Sequence, residues 1–359
     1  MQQQTPARFR MGPRVQRADV AWFVAVTGWW NGITTGDFDG DGRLDIVASN
    51  WGRNSRHQAY VAQPLRIYWG EFSHGPGFDV LEAYFDPGLK KVVPWAALDR
   101  VSAPMPFVQE QFASYRAYGS ASVEEILGAR FATAKEAQVT TLDSMLFLNR
   151  GDHFEARPLP AEAQFAPAFG LTVGDFNGDG DQDLFLSQNF FDVEPETSRY
   201  DAGRGLLLIG DGHGSLGALS GLESGVQIYG QQRGCAGCDF DGDGRLDVCV
   251  AQNGGATKLF HNTGAKPGLR VRLKGPPGNP TAIGAVMRLK FGERIGPARE
   301  IHAGSGYWSQ DSAVQVLGMP APPTHISVRW PGGKTTTTAV PAGARHIELD
   351  MEGKATVIR

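Results

Sequence analysis

The nonapeptide DFDGDGRLD stands at residues 37–45 and recurs letter for letter at 239–247, with a looser copy, DFNGDGDQD, at 175–183. Four carboxylates within nine residues repel one another strongly, so three such copies read as cation sites. The alternative is a turn whose Asp and Gly residues supply the required backbone angles without a metal.

In the first copy Asp37, Asp39, Asp41 and Asp45 stand at positions 1, 3, 5 and 9, and Gly42 at position 6 permits the sharp turn a chain makes around an ion. Arg43 at position 7 can offer only its carbonyl oxygen. Asp175, Asn177, Asp179 and Asp183 fill the side-chain positions of the second copy, with Asp181 at position 7. Asp239, Asp241, Asp243 and Asp247 fill those of the third, with Arg245 at position 7. Calcium suits this oxygen-rich set, because magnesium keeps several waters and is seldom caged by so many carboxylates. About three ions are expected, in a structural role, with affinities on the order of 0.1 to 1 mM. An EF-hand requires an acidic residue at position 12, where Ala48, Leu186 and Val250 stand. Nonapeptide β-helix repeats recur far more densely than these loops do.

Short β-branched and Gly-rich runs bracket each loop: GITTG and IVASN, GLTVG and LFLSQN, CAGC and VCVAQNG. They predict a strand, a turn and a strand. A decayed fourth copy, EFSHGPGFD at 71–79, keeps the spacing and Phe72 but has Glu71, Ser73 and Gly75 at positions 1, 3 and 5, a set that can hardly hold a metal. Downstream of the loops LRIYWG, SMLFLNRGDHF, GLLLIGDGHGSL and TKLFHNTGA read as recurrent further strands. Repeating multi-strand units of this kind predict an all-β chain built as a β-propeller, complete or incomplete. About residues 94–138 form a helical insertion laid on the propeller, with Val108, Phe112 and Tyr115 on one helical face, Val123, Ile126, Leu127 and Phe131 on another, and Ser122 with Glu125 as a capping box. The expected division is a propeller over 1–263, a linker at 264–268 and a small β-rich domain over 269–350.

Twelve of the 38 acidic residues lie in the three loops, so three divalent ions would carry the formal net charge from −4 to +2. No basic patch interleaved with aromatics suggests nucleic acid. No apolar run is long enough to span a membrane; VAWFVAV at 20–26 is too short. The opening residues lack a signal peptide's apolar centre, so the chain reads as mature, truncated or not exported. Cys235, Cys238 and Cys249 surround the third loop and read as small buried residues, with a Cys238–Cys249 disulfide and a zinc site as the alternatives.

The loops with their flanking strands resemble the FG-GAP or VCBS repeat of integrin α-chain propellers. GWWNGITTGDFDGDGRLDIVASNWGRNS, ASVEEILG and LLLIGDGHGSL resemble a bacterial group of such repeat proteins. AIGAVMRLKFG, GSGYWSQDS and VRWPGGKTTT resemble the ASPIC/UnbV module of the cartilage acidic protein family. The resemblance implies an exported or surface-attached calcium-loaded propeller that mediates binding, with no established reaction. A noncatalytic secreted or cell-surface module for a carbohydrate or protein partner is therefore expected. A calcium-dependent enzyme acting on polysaccharide and a purely structural module are the alternatives. Trp29, Trp30 and Trp51 offer rings for sugars or for core packing. No HExxH, GxSxG or phosphate-binding glycine loop is present, and His213 in GDGHGS reads as a turn residue.

Overall fold

The computed structural model describes residues 26–73, 75, 77–194 and 197–358. Apart from Val26, the apolar 20–26 run and the opening residues lie outside them. Three antiparallel sheets carry the acidic loops. The first joins β1 (Gly32–Gly36) and β2 (Asp45–Ser49). A second sheet interrupts it, formed by β3 (Leu65–Gly70), β4 (Asp79–Asp86), β5 (Lys91–Pro94) and β6 (Lys135–Val139) in the order β5-β4-β3-β6. The first sheet is then completed by β7 (Met145–Asn149) and β8 (Phe154–Pro158), giving β1-β2-β7-β8.

The next blade runs β9 (Ala168–Gly174), β10 (Asp183–Gln188), β11 (Leu206–Gly210) and β12 (Leu216–Leu219). The last has three strands, β13 (Gln231–Cys238), β14 (Asp247–Asn253) and β15 (Gly255–Phe260). The inner strands β1, β9 and β13 lie side by side. Between the first two blades Val47, Leu146, Leu148, Leu171, Leu184 and Leu208 form one core, and Phe185, Cys235, Leu246 and Val250 continue it into the third. Three blades do not close a ring, and the architecture is an incomplete propeller.

LRIYWG does not supply the next strand of the first blade. It is β3, and it pairs with β4 and β6. β7 takes that place instead, since its four apolar residues are all buried and the Asn149 amide reaches the buried Asp45. Four short helices follow β5: α1 (Leu98–Ser102), α2 (Pro106–Gln111), α3 (Tyr115–Gly119) and α4 (Val123–Leu127). They bury Val108, Val123, Ile126 and Leu127 against Tyr68, Phe72 and Leu81 of the inserted sheet, not against a blade. Tyr115 stays exposed while Tyr118 turns inward, because α2 and α3 are separate short helices rather than one continuous face. Ser122 and Glu125 do form a capping box.

From residue 269 the chain forms two sheets that pack face to face around Trp330, Met287 and Leu273. One contains a parallel pair, Leu269–Lys274 with His346–Asp350. This unit is not a pendant domain. Its segment 298–306 rises along β1, from the Ala298 amide on Asp37 to the bridge between Gly306 and Ile33. It turns between Ser305 and Ser309 and descends along β13, where the Ser312 amide bonds Gly237 O. The GSGYWSQDS stretch thus fills the axis among the inner strands of the three blades. Asp311, nearly buried, accepts from the Thr172 hydroxyl (2.6 Å) and the Gly237 amide (2.8 Å), tying the second and third blades to the hairpin. Burial depresses the nearby Arg299 below the ordinary guanidinium range, and Arg299 donates to Gln315 at 2.6 Å. The three cysteines are free; β14 places Cys249 opposite Ala236 and β13 places Cys238 opposite Asp247.

Replacing Asp311 by Ala strands the buried Thr172 hydroxyl and the Gly237 amide and removes the negative charge nearest the buried Arg299. A loss of about 3 kcal/mol or more is expected in equilibrium urea unfolding. An unchanged midpoint would mean that the hairpin is not seated through this carboxylate.

Candidate metal centre

Each acidic loop leaves the outer end of an inner strand and returns into the next strand of its sheet. Glycines at positions 4 and 6 take left-handed angles in all three copies, as in Gly40 (φ +71°) and Gly42 (φ +91°), where a side chain would be strained. Position 9 does the same work every time. Asp45 accepts from the Phe38 and Asn149 amides, both at 2.8 Å; Asp183 from Phe176 (2.8 Å) and Gly210 (2.9 Å); Asp247 from Phe240 (2.8 Å) and Asn262 (2.7 Å). One oxygen closes the loop and the other fastens the third strand. The decayed copy keeps half of this clamp, with Asp79 accepting from the Phe72 and Ser73 amides at 2.8 Å.

Position 1 gathers the loop's own amides. Asp175 accepts from Gly178 and Gly180, Asp239 from Gly242 and Gly244, and Asp37 from Gly42. Positions 3 and 5 then accept from the amides two residues on, as Asn177 does from Asp179 (2.9 Å) and Asp41 from Arg43 (2.7 Å). Carboxylate oxygens of Asp37, Asp39 and Asp41 lie within 4.8 Å of one another, as do those of Asp239, Asp241 and Asp247. Asp37 Oδ1 is buried with no hydrogen-bond partner, although a carboxylate oxygen in that position ordinarily has one. In the second loop the Asn177 side-chain amide donates to Asp179 (2.7 Å), and Asp181 turns outward toward Arg294 (3.2 Å). A hard cation bound by oxygen fits this donor set: clustered carboxylates, one buried oxygen without a partner, and glycines that let the chain wrap. The guanidinium groups of Arg43 and Arg245 turn back onto Asp41 and Asp243, leaving their carbonyls as the only atoms they could offer an ion.

Burial dominates the acidities. It raises Asp37, lifts Asp45 and Asp175 to about 6, and lifts Asp183 to about 8, against the lowering effect of the amides that each accepts.

The C-terminal unit meets every loop. The Ala298 amide bonds Asp37 at 2.7 Å and Arg288 reaches Gly40 O at 3.2 Å. Arg294 pairs with Asp181, and Arg270 Nε lies 2.8 Å from Asp239 Oδ2. A Cβ on Gly318 would collide with Asp175 Oδ2. These cationic partners lie far off in sequence and carried no signal there. Asn149 and Asn262 were within reach: one ends a strand and the other stands just past one, both are followed two residues later by Gly, and their side chains donate to Leu44 O and Leu246 O. His213 is a turn residue, its amide bonded to Asp211.

A family model of the FG-GAP repeat matches residues 29–61 and 168–208, covering the first two acidic loops, and a model described as ASPIC and UnbV matches residues 275–356. The chain carries FG-GAP repeats and ends in an ASPIC and UnbV domain. No curated protein matches it. The third loop lies outside the matched FG-GAP residues but repeats the position-9 clamp of both matched loops and the two amide bonds onto position 1 of the second. FG-GAP repeats point to a β-propeller binding module. No helix among the described residues is long and apolar enough to cross a membrane.

The raised carboxyls set a pH dependence for the metal-free FG-GAP unit. A group whose folded pKa exceeds its unfolded value stabilises below the unfolded pKa, near 3.9, and that contribution is lost as pH rises through the folded value. With Asp45 and Asp175 at about 6 and Asp183 at about 8, metal-free protein should melt higher at pH 5 than at pH 8.5. Calorimetry in chelator checks this, and a flat or rising profile would contradict the burial argument.

Proposed function

We propose that the chain is a noncatalytic binding module whose three acidic loops each hold one Ca2+, acting outside the cell or at its surface on a carbohydrate or protein partner. The observation that carries the metal assignment is the buried, unpartnered Asp37 Oδ1 beside the convergent oxygens of Asp39 and Asp41. In the first loop Asp37, Asp39, Asp41 and Asp45, with the Arg43 carbonyl, are the ligands. Asp175, Asn177, Asp179, Asp183 and the Asp181 carbonyl serve in the second, and Asp239, Asp241, Asp243, Asp247 and the Arg245 carbonyl in the third. The ion would add positive charge at the centre of each loop, beyond that of the arginines already paired with Asp39, Asp41, Asp239 and Asp243. These residues hold the loop's amides in place and present the remaining oxygens.

Two roles within one loop can be separated. Asp247→Ala removes acceptors for two backbone amides and should lower the melting temperature even in EGTA, by an amount corresponding to about 2–4 kcal/mol. Asp241→Ala should leave the EGTA melt within about 0.5 kcal/mol, since that residue is partly exposed, and should reduce only the stabilisation gained in calcium. The wild-type melt with and without EGTA tests the metal itself. A melting temperature indifferent to chelator in millimolar calcium would remove the ion from this reading.

A further inference from the structure

The face opposite the acidic loops carries a feature that neither the loops nor the core explain. Trp308, at the tip of the axial hairpin, is 93% exposed and adopts φ +49°. A bulky side chain in the left-handed region costs stability, and full exposure returns none of that through burial. Gly or Asn would serve the turn better. A contact with something outside the chain accounts for the choice.

Trp308 heads a continuous row of rings. Tyr307 lies beside it at 6.4 Å and leads to Phe169 at 5.3 Å, which adjoins Phe190 at 6.2 Å. Phe190 stands 5.0 Å from Trp51, which meets Trp29 edge-on at 5.7 Å. The row ends at His57, stacked 4.2 Å from Trp95. It crosses four separate parts of the chain: the hairpin, the second blade, the first blade and the inserted sheet. Most of its rings are partly open to solvent. It forms a strip rather than a pit, which suits an extended polymer better than a small molecule.

Four arginines on this face lie over aromatic rings. Arg233 is 4.1 Å from the centre of Phe169, Arg56 4.6 Å from Trp95, Arg204 4.6 Å from Tyr229 and Arg199 5.4 Å from Phe191. Among the described residues none of the four has a carboxylate within ion-pair distance, whereas Arg43, Arg245, Arg270 and Arg294 at the acidic face all do. Arg233 and Arg204 each give one Nη to backbone carbonyls, and the remaining donors of the four guanidinium groups, unpaired by acid, are placed to receive carboxylate or sulfate oxygens. Open ring faces between them match the C–H face of a pyranose, which is apolar while its rim bears hydroxyls.

We propose that this strip binds an anionic carbohydrate chain, its sugar rings stacking on Trp308 and the neighbouring rings and its carboxylate or sulfate groups received by Arg233, Arg204, Arg199 and Arg56. The proposal rests on reading the chain as a binding module and assigns that module its ligand class and its face.

The test uses the full chain in calcium, with intrinsic fluorescence and surface-immobilised polysaccharides as readouts. The probes are polygalacturonate and alginate for carboxylate, chondroitin sulfate for sulfate ester, and a neutral β-glucan. Binding to one or both anionic classes over the glucan is expected, together with a loss of at least about tenfold in Trp308→Ala and in Arg233→Ala. Whichever anionic class binds identifies the source of the charge. Equal binding to the glucan, no binding to any anionic chain, or full affinity in Trp308→Ala overturns the proposal. A protein that still melts higher in calcium and captures a protein partner while ignoring every polysaccharide would refute this inference and leave the binding-module reading standing. The thermal melt of each variant controls for folding, and Trp308→Ala should leave it unchanged, because the ring is exposed and Ala keeps the Cβ that the left-handed backbone strains.

Discussion

A buried carboxylate that accepts two amides from different strands holds each blade together. At position 9 of every acidic loop it shuts the turn with one oxygen and fixes the third strand with the other, at 2.7 to 2.9 Å in all three copies. An acceptor that binds two backbone amides is among the firmer attachments a loop can have, and burial makes its loss costly. Once the third strand is fixed, the apolar faces of adjacent sheets come into register and the shared leucine core follows. The rest of the loop is then free to converge its carboxylates on one point.

That arrangement also explains the first blade's long detour. A sheet with four helices separates β2 from β7, yet β7 still returns to the same edge because Asp45 is buried and needs the Asn149 amide. The inserted unit has its own core around Phe72 and Ile126, so it can be carried without disturbing the blade. Its decayed loop keeps Asp79 and loses the other acids, which separates the architectural use of the motif from any cation chemistry.

Three blades expose their inner strands unless something occupies the axis. The C-terminal unit does so with the hairpin over 298–318, and it sets one arginine against each acidic loop: Arg288, Arg294 and Arg270. The two faces of the molecule thereby become electrostatically distinct. On one, arginines meet the acidic loops; on the other, Arg233, Arg56, Arg204 and Arg199 lie over aromatic rings while Arg53 pairs with Asp143. GSGYWSQDS, one of the stretches that resemble the ASPIC/UnbV module, serves both, since Asp311 anchors the interior and Trp308 emerges on the far side.

The alternation of β-branched and Gly-rich runs around a spaced acidic loop was enough to establish strands, turns and blades, because those are local properties of nine to twenty residues. The capping box at Ser122, the loss of ligands at Glu71 and the change of pattern near residue 269 were legible for the same reason. Strand partnership was not: LRIYWG and LFLNRGDHF look alike as strands, and only the buried Asp45 selects between them. Nor could the helical insertion's seat be read, since amphipathic faces state that they are buried without stating against what. Trp29 and Trp51 turned out to pack edge-on in a ring row that draws on residues over 250 positions apart. The sequence by itself determined which segments turn, extend and gather oxygen. Tertiary structure alone decided which strands meet, which arginine faces which loop and which aromatics align, because those choices depend on burying charge and apolar surface across long separations, where no periodicity records the partner.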